Sequence, residues 1–317
     1  MTESLTVPPR REFQTFMDIL LHTDLESLDA HVAVIGLPYG DPYTIDEVTN
    51  DQTNAPTAIR RESAQLSIGP DQFDYDVGGP MLDGRPIRLV DVGDVPGDAR
   101  DLGAHFRKAE AAARKIFDAG ARIVALGGDH GVPIPIFRAM DRWKDVTLVQ
   151  IDAHLDWREE RFGVREGYSS PIRRAAEMDH FGEIFQIGIR GQGSARSEED
   201  RAARAYGAHI VTAYEVHDHG MESVLARIPD GGTYYLTIDA DGLDPTIAPA
   251  VAAPAPGGIT FHQVRKLIHG LVGKGNLVGM DVNEITPKCD VGGITCITAG
   301  RCITNYIGAA VRAGYFN

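Results

Sequence analysis

The chain is short of cysteine, of basic charge and of long apolar runs, and each shortage removes a class of protein. Only three cysteines occur in 317 residues: Cys289, Cys296 and Cys302. Their spacings of seven and six residues build no CxxC motif, no zinc framework and no even-numbered disulfide scaffold. They read as buried or half-buried thiols in a reducing compartment. Basic residues are outnumbered, 31 Lys+Arg against 45 Asp+Glu, for a net charge of −14. No basic stripe is available to neutralise phosphates, which argues against a nucleic-acid partner. No segment approaches the ~18 apolar residues that span a bilayer. Met1 to Arg11 carries charges and two prolines but lacks the apolar stretch of a secretory signal. No GxGxxG follows a first strand, so dinucleotide binding has little support. The expectation is a soluble, cytoplasmic protein with no membrane association.

What the chain does contain is enough apolar residue, 43%, to bury a sizeable core. Its length fits one large α/β domain or about two domains of roughly 150 residues. Residues 1–30 read as an N-terminal extension with an amphipathic stretch from Phe13 to Leu21, and residues 31–317 as an α/β domain. Short β-branched runs predict strands at 31–36, 86–91, 122–126, 146–151, 183–187, 208–211, 233–238 and 277–282. Apolar residues at helical spacing predict helices at 102–118, 197–206, 220–228 and 260–272. Apolar strands alternating with helices argue for a parallel sheet of about eight strands covered on both faces.

Ligands of such sheets bind beyond the carboxyl ends of the strands. Three predicted strands end in metal-capable side chains. The 122–126 strand runs into Gly127-Gly128-Asp129-His130, and the 146–151 strand into Asp152-Ala153-His154-Leu155-Asp156-Trp157. The 233–238 strand runs into Asp239-Ala240-Asp241-Gly242-Leu243-Asp244-Pro245. In extended backbone, alternate residues project to one side. That predicts convergence of Asp152, His154 and Asp156, and separately of Asp239 with Asp241. His130 from a further strand end completes a set of four carboxylates and two imidazoles. A lone Gly-Gly-Asp-His or Asp-x-Asp is ordinarily turn or loop chemistry, but three such motifs at strand ends form a pattern. Six ligands suit two divalent cations about 3.5–4 Å apart with shared carboxylates. Oxygen-rich, imidazole-containing and free of thiolate, the set favours Mn²⁺, with Ni²⁺, Fe²⁺, Co²⁺ and Zn²⁺ as substitutes. Clustered carboxylates repel one another unless cations hold them together.

The three ordered motifs resemble those of the ureohydrolases, the family of arginases, agmatinases and related guanidino-acting enzymes, and the agmatinase-like members above all. The resemblance runs from about residue 31 to the C-terminus. It implies a three-layer α/β/α arginase-type fold with an eight-stranded parallel sheet, a binuclear manganese centre and a trimeric or hexameric homo-oligomer. By motif position, one metal would be held by His130, Asp152, Asp156 and Asp239. The other would take Asp152, His154, Asp239 and Asp241. The implied reaction is hydrolysis of a small cationic guanidino compound to urea and an amine by metal-activated hydroxide. Asp156 would also accept a hydrogen bond from the nucleophile. Glu284, in Asn283-Glu284-Ile285-Thr286-Pro287, resembles the glutamate that clamps the guanidinium, although a surface acid is an equal reading from physics alone. Asp244 with Pro245 reads as turn chemistry.

One departure concerns the loop after the Asp-Ala-His motif. Agmatinase-like enzymes place a proton-shuttling histidine there, and this chain has Glu166 in Gly163-Val164-Arg165-Glu166-Gly167. Glu166 is therefore a candidate shuttle, a candidate substrate contact or a plain loop acid. Trp157 is either a stacking surface for a guanidinium or a core residue. The polar loop with which arginases read arginine is not evident after Asp156, which disfavours arginine as substrate. Agmatine is the default substrate, with guanidinobutyrate, guanidinopropionate, guanidine and an alkylguanidine or biguanide as alternatives. Two rival readings stand beside this one. The first is a single-zinc amide hydrolase of deacetylase-like type, and the second a non-catalytic subunit that partners an active homologue.

Overall fold

Successive residues of the central strands point to opposite faces of one sheet, and both faces are apolar. In the computed structural model, which describes residues 6, 14–40, 43, 51–66, 72–97 and 101–316, nine parallel strands form that sheet. They are β1 (Leu20–Leu21), β2 (Val32–Leu37), β5 (Leu89–Asp94), β6 (Arg122–Gly127), β7 (Val146–Ile151), β8 (Phe181–Ile189), β9 (His209–Thr212), β10 (Thr233–Asp239) and β11 (Asn276–Asn283). A two-stranded hairpin, β3 (Phe73–Asp74) with β4 (Gly79–Pro80), lies outside the sheet. The strand order is β1-β5-β2-β6-β11-β10-β7-β8-β9.

Val32 and Val34, Val124 and Leu126, and Leu236 and Ile238 pack into one core. It is covered by α1 (Ala55–Ser63), α6 (Ala213–His219), α7 (Met221–Leu225), α8 (Phe261–Lys274) and α9 (Ile294–Arg312). Ala33 and Ile35, Ile123 and Ala125, and Tyr235 pack into the other. That side is covered by α2 (Leu102–Asp118), α3 (Pro133–Arg138), α4 (Pro171–Ala176) and α5 (Ser197–Tyr206). The result is the expected three-layer α/β/α arrangement, because strands apolar on both faces need a helical layer on each.

All eight predicted strands are present, and the ninth is β1. Leu20 and Leu21 pair with Val90 and Asp91, and the Phe16 N–H donates to buried Asp91, so part of the 1–30 segment is built into the sheet edge. Phe13, and Met1 to Arg11 apart from Thr6, lie outside the described residues. The 86–91 strand starts later than expected, at Leu89, and extends through Gly93, whose φ of +82° lets a bulge pass within the pairing to β2. The helix predicted at 220–228 is α7, which is shorter than expected; α6, which was not predicted, lies just before it, and Gly220 at φ +79° ends the one and begins the other. Of the cysteines, Cys296 and Cys302 are buried in α9, whereas Cys289 is exposed, against expectation; all three are free. No helix among the described residues is long and apolar enough to cross a membrane.

Candidate metal centre

Strand order brings the chemistry together. The motif-bearing strands β6, β10 and β7 lie side by side with β11, which carries Glu284 beyond its end. The loops that follow them share one crevice, and two glycines let the backbones meet there. A Cβ on Gly242 would lie 2.5 Å from the Asp152 nitrogen, and one on Gly128 would lie 1.7 Å from the Tyr39 carbonyl oxygen. Only glycine permits such approaches.

The ligands do converge, but not through strand alternation. β7 stops at Ile151 and β10 at Asp239, so most of both motifs lies in loop and turn. Asp156 takes a left-handed φ of +48°, and Ala240–Gly242 forms a 3₁₀ turn. Asp239 caps that turn by accepting from the Asp241 N–H at 2.8 Å, and Asp152 accepts from the His154 N–H at 2.6 Å. Each acid thus fixes the next ligand through a short backbone loop.

His130, Asp152, Asp156 and Asp239 form one group, and Asp152, His154 and Asp241 a second. Asp152 belongs to both, whereas Asp239 belongs to the first alone. The His130 Nδ1 lies 2.8 Å from Asp156, 3.1 Å from Asp152 and 3.2 Å from Asp239. His154 Nδ1 lies 3.0 Å from Asp241 and 3.5 Å from Asp152. None of the three acids around His130 is aligned for a hydrogen bond. Its Nδ1, like Asp156 Oδ2, is buried with no such partner. Buried polar atoms left this way are costly, and several donors aimed at one point fit a divalent cation.

The electrostatics say the same. Burial, then the Asp152 charge, pushes Asp156 up to about 7. Burial, then the Asp241 and Asp152 charges, raises Asp239 well above the usual carboxylate range. Burial opposes charge on His154, but Asp241 and Asp152 outweigh it and push the imidazole up to about 12. A cation between these groups removes the repulsion.

Behind the ligands stands a shell that sequence reading missed. His130 Nε2 lies 3.0 Å from Thr237 Oγ1, which donates to Asp281 at 2.6 Å. Gln150 donates to Asp152 and takes a hydrogen bond from Gln186. Arg190, 5% exposed, donates to six backbone carbonyls, including those of Asp241, Gly242 and Leu243, and so pins the loop after β10. Asp244 is turn chemistry as expected: it accepts from Thr246, Gly257 and Gly258.

A cavity of about 220 Å³ opens onto the centre, lined among others by His154, Asp156, Asp239, Asp241, Glu284, Trp157, Arg161, Tyr168 and Gln52. Glu284 is buried there at φ +63°, accepting from the Gln52 side chain at 3.0 Å and the His130 N–H at 2.7 Å. Burial raises its pKa despite those donors. It is no surface acid. Trp157 is 3% exposed, lies in the core against Tyr206 and reaches the cavity wall. Glu166 is not brought to the cavity. Its backbone packs against Gly131, and its carboxylate turns to Arg138 on α3.

Comparison with known proteins agrees with this geometry. The arginase family profile matches residues 30–308. A guanidinopropionase of Pseudomonas aeruginosa is 34% identical over 307 residues, covering 93% of this chain and 91% of that protein. An Escherichia coli agmatinase is 32% identical over 300 residues, covering 90% and 89%. Among solved structures, a hypothetical agmatinase from Burkholderia thailandensis superposes with a TM-score of 0.82 at 28% identity, over 95% of this chain and 92% of that one. A proclavaminate amidino hydrolase from Streptomyces clavuligerus gives 0.79 at 28% identity, over 95% and 97%. The chain belongs to the arginase family, as an agmatinase-like hydrolase.

Proposed function

We propose that the protein hydrolyses a small guanidino compound to urea and an amine at a binuclear metal centre. The observation that carries this reading is the pairing, in one cavity, of two adjoining carboxylate–imidazole groups with a buried, oriented glutamate. His130, Asp152, Asp156 and Asp239 would hold one cation, and Asp152, His154 and Asp241 the other. Mn²⁺ is the first choice for these donors and Ni²⁺ the second. When bound, two such cations lower the pKa of a shared water and supply hydroxide near neutral pH.

The chain's own residues do the rest. Each Glu284 oxygen already accepts one hydrogen bond, leaving a lone pair on each for the planar guanidinium. That sets the guanidinium carbon over the centre. Asp156 Oδ2, buried and without a hydrogen-bond partner, accepts a hydrogen bond from the attacking water. Trp157 forms a fixed wall, and Glu166 stays outside the chemistry. A trimer or hexamer is the expected assembly.

Urea release from a panel of guanidino compounds, by the purified chain loaded with Mn²⁺ or Ni²⁺, tests the reading. Activity without metal would refute it. One metal per chain at full activity would favour a single-zinc amide hydrolase, and urea release by this chain alone dismisses a purely supporting subunit.

A further inference from the structure

Arg161 on the cavity wall has no part in binding metal or guanidinium. Its guanidinium lies 5.1 Å from the Tyr43 ring centroid, 5.4 Å from that of Phe162 and 6.0 Å from that of Tyr168. Reciprocal backbone hydrogen bonds with Val164, both 2.9 Å, hold its turn. One terminal nitrogen reaches the Tyr168 hydroxyl at 3.4 Å. Among the described residues it has no carboxylate partner.

The other charges on the cavity wall are all committed. Arg158 is neutralised by Glu199 at 3.0 Å, and Glu199 also accepts from the Arg196 N–H. The remaining lining acids, Asp156, Asp239, Asp241 and Glu284, belong to the metal and guanidinium end. Among the described lining residues, the wall at Arg161 therefore offers a free cation and no free anion. A second ammonium on the substrate would meet repulsion there, and a carboxylate would meet a planar donor already stacked on aromatic rings. Tyr168 joins the two ends: its hydroxyl faces Arg161, and its ring lines the same cavity as Glu284.

We propose that Arg161 binds the carboxylate of the substrate, which is a short ω-guanidino acid with its guanidinium on Glu284. The assignment rests on the hydrolase reading above and deepens it to a substrate class. Arg161 is then the residue that separates guanidino acids from guanidino amines.

Steady-state kinetics on the metal-loaded protein test this with three compounds of matched chain length: a guanidino acid, an alkylguanidine and a guanidino amine. The wild type is expected to favour the acid over the alkylguanidine by roughly 10- to 100-fold in kcat/KM, the range of a charge-assisted pair. The amine is expected to be the poorest. Arg161→Gln brings the acid-to-alkylguanidine ratio to about one, chiefly through KM, and Arg161→Lys restores part of it. A ratio measured in one preparation does not depend on how much of the variant is folded. Preference for the amine, or a ratio that Arg161→Gln leaves unchanged, would overturn the assignment while leaving the hydrolase reading intact. If no compound yields urea, the hydrolase reading falls. Calorimetric binding of the guanidino acid, present in wild type and lost in Arg161→Gln, then decides on Arg161 by itself; binding that survives the substitution overturns it.

Discussion

Replacing Thr237 by valine should weaken metal binding at His130 without touching a ligand. A ligating imidazole must present a lone pair at Nδ1, which requires its proton on Nε2. Thr237 imposes that state. Its single hydroxyl proton goes to Asp281 at 2.6 Å, so towards His130, 3.0 Å away, it is an acceptor that holds the proton on Nε2. All three side chains are fully buried. Valine fills the same shape but leaves Nε2 without a partner, a cost of ~1–3 kcal/mol. For a chain of this size that is a fall of roughly 1.5–5 °C in melting temperature. Loss of such a supporting contact also costs about 10–100-fold in metal affinity. Competition with a chromophoric chelator measures the affinity, and thermal melts with and without metal separate it from general destabilisation. Thr237→Ser keeps the hydroxyl and should recover most of the affinity. Wild-type affinity in Thr237→Val, or equal losses in both variants, would refute the tautomer argument.

Four further outcomes follow from the site. Asp152→Ala, which removes the carboxylate shared by both ligand groups, should abolish stoichiometric metal binding in elemental analysis as well as turnover. In chelator-treated protein, Asp156 is raised from the ordinary aspartate range to about 7, so the folded chain binds more protons between those limits. Stability should fall as pH rises from about 4 to 7, and His154, also raised, extends the fall above its unfolded value. Urea melts of Asp156→Asn should show a flatter profile from pH 5 to 7, and an unchanged slope would refute that origin. Arg190→Met should cost ~3 kcal/mol or more by leaving several carbonyls unpaired, read as urea sensitivity and faster proteolysis of the 244–258 loop. Glu166→Gln should leave kcat within about twofold, because its partly exposed pair with Arg138 contributes under ~1 kcal/mol; a large fall in kcat alone would restore it as a proton shuttle.

The parts of the site that were legible in the chain are those written as short-range patterns. His130, Asp152, His154, Asp156, Asp239 and Asp241 each lie within a few residues of a strand end that apolar composition marks. Even there the reason was only half visible, since turns and a left-handed Asp156, not pleated strand, make the ligands converge. α9 was missed because nearly all its sides are buried, which erases the polar stripe that reveals a surface helix. β1 was missed because two leucines carry no periodicity. The functional partners were hidden for a different reason. Gln52 meets Glu284 across 232 positions, and Thr237 meets Asp281 across 44, because β11, the last strand of the chain, inserts between β6 and β10. No local pattern encodes that insertion. A motif at a strand end can nominate a ligand, whereas its protonation state and aim are decided by the neighbour that strand order supplies. In this chain that neighbour comes from β10 and β11 for His130 and from the residues before α1 for Glu284.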